Sequence, residues 1–473
     1  MFLLLWLNMR QTKFLMKTKW IFFLTACLAM TLSSCLKSED DVVIELTRNC
    51  QISSLTLSSD SVTGLSKVKF TIDQLGGRIF NVDSLPYGTK VEKVLCTLTI
   101  VSSAGVSDVE VQPYALPDST FHLAKLTDSV DFSAPVKFVV HAYDGITTKT
   151  YLAQVNIHQV NPDTMVWAQA SEKMLPVAFS EQKTVLVDQD GEKSYYMYAT
   201  LASGAGYQLY QAPANAPTQW TEQPLQGLPS DGLQWQQLAQ YNKVWYVAAS
   251  DGSLYQSADG KTWSLVAGAP AIQFLLGEVK AGMRQQGALA ATTLREGKLT
   301  FCAMNAEQEW TMGEEAPEAF PAKGFATLQY ESMYYQYLMT IGGRSQANAL
   351  LNTTWATTNG LAWTLMAAGE SSGFTSREGA AVVHYDDKIL MIGGLDAERK
   401  GLKDMYSSFD CGITWSLIDT LLVLPSAYEG RGYSSAIVDS ENYLNLFGGT
   451  TDGKANDLNQ LWRGRINRLI TKE

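Results

Sequence analysis

An all-β chain, a small β-sandwich followed by a six-bladed β-propeller, is predicted by three observations on the 473-residue sequence. Short runs that alternate apolar and polar residues fill residues 42–160, and no stretch there has a convincing helical period. Three later runs end in a Gly-Gly pair, and the pairs lie 51 and 55 residues apart. Tryptophans recur through residues 164–473 at separations of 43 to 53 residues. A period of that size marks a repeated supersecondary unit.

In residues 42–160 the runs Val68–Ile72, Lys93–Ile100 and Val136–Val140 have the period of half-buried strands. Gly76-Gly77, Pro86-Tyr87-Gly88 and Asp144-Gly145 punctuate them as turns, so a sandwich of about seven strands is expected. The stretch Asp131–Val136, with Tyr143-Asp144-Gly145 and Lys149-Thr150-Tyr151, resembles immunoglobulin-like modules of Bacteroidetes lipoproteins. That resemblance implies a hairpin at Asp144-Gly145 between the last two strands and a stalk role for the module. Asn161-Pro162-Asp163 reads as the linker to the repeat region.

From residue 164 on, the Gly-Gly pairs are Gly342-Gly343, Gly393-Gly394 and Gly448-Gly449. With Arg377-Glu378-Gly379 and Gly430-Arg431-Gly432 opening two repeats, the pattern resembles the Kelch repeat, one four-stranded blade per period. Ser408–Trp415 also resembles in full the Asp-box, S-x-D-x-G-x-T-W, of neuraminidase-like propellers. Ser257–Trp263 and Thr357–Trp363 are degenerate copies. In that family the box is a structural hairpin, and only that meaning carries over.

Trp220, Trp263, Trp310, Trp363 and Trp415 mark five complete blades. A sixth lacks its fourth strand at the C-terminus, and Thr164–Ala168, with Trp167, is expected to supply it beside the strand holding Trp462. Such closure leaves the ring no open edge.

Residues 1–34 read as a lipoprotein signal peptide, its start expected at Met16. Lys17 and Lys19 precede a short apolar run, and Leu32-Ser33-Ser34-Cys35 resembles a lipobox. That resemblance implies lipidation of Cys35 and attachment to the membrane through the lipid. The acidic tether at 35–41 carries Leu36-Lys37-Ser38-Glu39-Asp40-Asp41 directly after the cysteine, which resembles the signal that sends such lipoproteins to the outer face of the outer membrane. Surface display is the expectation, with a periplasm-facing location as the alternative.

Loss of residues 1–34 removes four basic and no acidic residues, taking the formal charge from −11 to −15. So acidic a chain offers no basic patch for phosphates, and no nucleic-acid partner is expected. Neutral glycans and proteins remain compatible. Cys50, Cys96, Cys302 and Cys411 are scattered without a C-x-x-C pair, so neither a disulfide framework nor a zinc site is implied.

Enzyme templates find little support. Arg284, Arg344, Arg377 and Arg431 could supply a sialidase-like arginine set, but no spacing singles out a nucleophilic pair. The copper site of galactose oxidase needs two histidines, and the propeller holds only His384. No cofactor, metal or catalytic residue is assigned, and His122, His141 and His158 read as ordinary strand or surface residues.

A binding face is expected where the loops before the first strand and after the second strand of each blade converge. By Kelch register these loops hold Phe320, Lys323, Arg344, Phe374, Arg377, Arg399, Tyr428 and Arg431. Arginines among aromatics suit a protein or a sugar ligand. The two-part layout is similar to an uncharacterised group of Bacteroidetes surface lipoproteins with an immunoglobulin-like module before a Kelch-type propeller. The expected function is non-enzymatic capture of a glycan or protein, the alternative a divergent glycan-active hydrolase or lyase.

Overall fold

The computed structural model describes residues 46–469 apart from 102–107, 115–119, 124–128, 203–205, 333 and 454–457. The predicted signal, Cys35 and the acidic tether lie outside the described residues. The chain divides into two compact units after Gln159.

The first unit consists of two sheets. Ile52–Ser58, Val94–Ile100 and Ser129–Val130 form one. The other runs in the order Phe70–Asp73, Arg78–Asn81, Thr148–Gln154, Val136–His141, Asp108–Pro113, Phe121–His122. The described strands therefore number nine against the seven expected, the added ones being short edge pieces with little pattern to read. Alternation sends Val109, Val111, Val136, Phe138 and Val140 inward to meet Leu55, Leu57 and Cys96. At the predicted hairpin, Asp144 Oδ1 accepts from the backbone N–H groups of Ile146 and Thr147 at 3.0 and 2.8 Å. This closes the turn between the strands ending at His141 and starting at Thr148.

The second unit is a ring of six four-stranded sheets. The inner strands of blades 1 to 6 are Phe179–Gln189, Ala239–Tyr241, Ile272–Val279, Ala326–Glu331, Ala381–Tyr385 and Ser435–Val438. Blade 6 is completed by the N-terminal strand Met165–Ser171, which pairs antiparallel with Leu461–Ile466. Trp167 faces Gly464, and Gln169 faces Trp462, so the predicted closure forms. Arg468 holds the joint: it grips Asp386 of blade 5 through both terminal nitrogens at 2.6 and 2.7 Å and reaches Asp163 at 2.8 Å.

Each outer-strand tryptophan packs toward the preceding blade. Trp263 meets Tyr198 and Trp235, Trp363 meets Phe301, and Trp220 meets Phe447. The Gly-Gly pairs serve the same seams. Gly394 N–H donates to Arg431 O of the next blade at 2.8 Å, as Gly343 N–H does to Arg377 O. A Cβ on Gly393, whose φ is +60°, would lie 2.5 Å from Arg431 O. Only glycine combines that backbone conformation with so close an approach.

The three Asp-box hairpins share one geometry. Asp410 Oδ1 accepts from Ser408 Oγ and Thr414 N–H, and Gly412 N–H donates to Ser408 Oγ. Asp259 and Asn359 repeat this in the degenerate copies. Partial burial opposes ionisation of Asp410, but the hydrogen bonds from Thr414 and Ser408 outweigh it and hold the carboxyl below the usual range.

Candidate functional site

Five of the eight predicted face residues are interior, which corrects the expectation for them. Arg377 and Arg431 are 0% and 1% exposed. Arg377 forms a bidentate pair with Asp404 at 2.7 and 3.0 Å and donates to Gly393 O at 2.9 Å. Arg431 donates to Gly448 O and Gln460 Oε1 and lies 4.2 Å from the Tyr428 ring centre. Each arginine therefore locks the first carbonyl of its own blade's Gly-Gly pair, where no ligand reaches. A three-arginine set that includes them does not form at the surface.

Phe320, Phe374 and Tyr428 are buried wedges between blades. Phe320 packs on Phe301 and Trp363, Phe374 on Trp415, and Tyr428 on Trp462. Filling the gap between twisted sheets needs large rings just ahead of the inner strand. His384 is exposed on the inner strand of blade 5.

Lys323, Arg344 and Arg399 do reach the surface at one end of the channel. Lys323 and Arg344 pair across a short two-stranded ribbon. Arg344 Nε lies 2.9 Å from Glu378 Oε2, and Arg399 Nη1 lies 3.4 Å from Glu378 Oε1. Glu378 is itself buried, so one carboxylate gathers two cations from the second-strand loops of blades 4 and 5. Tyr433 of blade 6 donates to Glu378 Oε2 at 3.2 Å. Burial and the adjacent Glu378 push its hydroxyl well above the usual range.

Tyr433 occupies a costly conformation. Its φ is +58°, and the corresponding positions of blades 4 and 5 are Gly324 and Gly379, at +61° and +65°. Backbone hydrogen bonds of 2.6 Å join the three in series, Gly379 N–H to Gly324 O and Tyr433 N–H to Gly379 O. The Tyr433 ring lies against Gly379 and its hydroxyl reaches Gly324. A bulky residue in the left-handed region costs on the order of 1–3 kcal/mol.

A recess of about 300 Å³ opens beside Tyr433 and Arg399, lined also by Ser180, Glu181, Gln236 and Thr450. Water still reaches Glu181, but the channel walls around it push its carboxyl up to about 7, against hydrogen bonding from the Gln236 backbone and attraction to Lys183. Lys183, deeper along the same strand, is pushed down by the same loss of water. Further along the inner strands of blades 2 to 4 lies a second recess of about 480 Å³, lined by Gln240, Glu278, Lys280 and Gln329.

Sequence reasoning missed Glu181, Gln236, Glu378 and Tyr433 as mouth residues. Glu378 was visible within Arg377-Glu378-Gly379, and Tyr433 breaks the glycine pattern of the blade openings.

Residues 161–473 match the family described as the DUF6242 beta propeller domain, and residues 45–155 match the DUF6242 N-terminal domain, a domain of unknown function. No curated protein matches the chain. Among solved structures it is similar to one titled "Structure of YjhT", at 16% identity, covering 60% of this chain and 94% of that one, with a TM-score of 0.38. A likeness that distant says nothing about activity.

Proposed function

Because the chain belongs to the DUF6242 family, whose domains carry no assigned activity, we propose a role from the mouth itself: capture of a glycan or protein ligand by a surface-displayed lipoprotein. The carrying observation is the convergence of Arg344, Arg399 and Tyr433 on the buried Glu378 beside an open recess. Guanidinium forks and an aromatic ring held in a strained backbone suit the hydroxyls and ring faces of sugars, or polar and aromatic groups of a peptide.

The anchor belongs to the same reading: Cys35, lipidated, holds the chain on a Bacteroidetes-type outer membrane and the first unit acts as a stalk. Labelled palmitate incorporation, abolished by Cys35→Ala, tests the anchor. Protease accessibility on intact cells separates surface display from a periplasm-facing location.

The binding test is a screen of the chain against glycan and peptide arrays that scores both retention and released product. Retention that weakens at least tenfold on Arg399→Ala is expected, and retention indifferent to it would sink the reading. One observation favours the second reading, a glycan-active hydrolase or lyase: Glu181, with its carboxyl near 7, is suited to give or take a proton at neutral pH. Product release that disappears in Glu181→Gln would establish turnover over capture.

A further inference from the structure

The first unit carries on the outer face of its six-stranded sheet a cluster that the propeller does not use. Along Asp108–Pro113, Val109 and Val111 enter the core. Asp108 and Glu110, one pleat apart, therefore share the opposite face. The flanking strands complete the group: Asp108 pairs with His141, and Glu110 pairs with His122. Directly paired residues project to one side of a sheet, so two carboxylates and two imidazoles from three adjacent strands share one patch.

Their polar atoms converge. His141 Nε2 lies 3.1 Å from Glu110 Oε1, and His122 Nδ1 lies 2.5 Å from Asp108 Oδ2. One donor atom each from Asp108, Glu110 and His141 falls within 4.8 Å of the other two. Ligands about 2.0–2.2 Å from a tetrahedral ion are roughly 3.5 Å apart, so small side-chain rotations would bring these three around one centre. Asp108, Glu110 and His141 are only 30–35% exposed at their side chains, enough for an ion to enter and for water to complete its shell.

We propose that Asp108, Glu110 and His141 bind a divalent transition-metal ion, of which Zn²⁺ is representative, with His122 orienting Asp108. A mixed imidazole and carboxylate set suits such an ion, whereas Ca²⁺ and Mg²⁺ favour six or more oxygen donors. The ion offsets the two facing negative charges. It also fastens the two-residue edge strand Phe121–His122, through His122 and Asp108, to the strand Val136–His141. A carboxylate and an imidazole paired in this way fix each other's orientation, as around many bound ions. Among the described residues this is the one group of such composition, and with His122 it brings together two of the chain's four histidines.

Titration of the metal-stripped full chain with Zn²⁺ by calorimetry tests the site. One saturable site per chain is expected, weakened at least tenfold by His141→Ala and by Asp108→Asn but unchanged by His384→Ala. Millimolar Mg²⁺ should not displace the ion, and bound Co²⁺ should give a visible absorption band that His141→Ala removes. His141→Gln, close in shape and still able to hydrogen-bond, covers the case in which His141→Ala disturbs the sheet. Absence of a saturable site, or a site that survives both His141→Gln and Asp108→Asn, overturns the proposal.

Discussion

Blades 4 to 6 and blades 1 to 3 close the same ring by different means. In blades 4 to 6 the second strand ends in Gly-Gly, and at the 4–5 and 5–6 seams the next blade's backbone docks on that pair, Gly343 on Arg377 O and Gly394 on Arg431 O. In blades 1 to 3 the seams are bridged by side chains. Trp235 is fully buried and stacks 4.6 Å from Tyr198, while Gln182 donates to Phe447 O and Gln236 to Gln182 O. The difference shows that the propeller's repeat is one of shape: buried rings fill the seams of both halves, and either glycine contact or glutamine side chains satisfies the backbone groups.

The largest effects should come from breaking each device. Trp235→Ala removes the ring that fills the seam of blades 1 and 2 and should cost roughly 3–5 kcal/mol. Arg377→Ala, in blade 5, strands the partners Gly393 O and Asp404 and should cost about 3 kcal/mol, somewhat moderated because water reaches Asp404. Chemical denaturation measures both. Costs under about 1 kcal/mol would mean that the two seams do not depend on these residues.

Glycine substitution sharpens the contrast. Gly393→Ala drives a Cβ to within 2.5 Å of Arg431 O in a left-handed conformation, and should cost on the order of 3 kcal/mol. Gly297→Ala, in a blade 3 hairpin at φ +79° with nothing near its missing Cβ, meets only backbone strain of about 1 kcal/mol. Equal midpoint shifts would contradict the docking role of the Gly-Gly pair.

Acid should open the closure joint. Hydrogen bonding to Arg468, helped by Lys388 and opposed by partial burial, holds Asp386 at about 2, below its ordinary 3.8. A depressed carboxyl contributes stability that is present above its ordinary value and lost as pH falls through its folded one, so the contribution fades between about pH 4 and pH 2. Asp386→Asn should flatten that part of the stability profile. Tyr433→Gly should have the smallest effect on stability, because relief of roughly 1–3 kcal/mol of backbone strain offsets lost packing, while ligand capture falls.

The same contrast governs how much was legible in the sequence. Outer tryptophans recur through every blade and Gly-Gly pairs through three of them because each seam must be filled and closed, so the six blades and the closing strand at Met165–Ser171 could be read. Site residues have no such period. Arg377 and Arg431 look like Arg344 and Arg399 as letters, yet the first two are sealed against a glycine carbonyl and the second two meet Glu378 at the mouth. Glu181 and Gln236 come from blades without Gly-Gly pairs, and their nearness to Tyr433 exists only once the ring has closed.

The two ends of the channel provide the most direct test of mouth binding. Hydrogen exchange of the chain, with and without a ligand identified on the arrays, should show slowing around Lys323, Glu378, Arg399 and Tyr433. Slowing confined to the recess around Gln240, Glu278 and Gln329, or to the first unit, would contradict it.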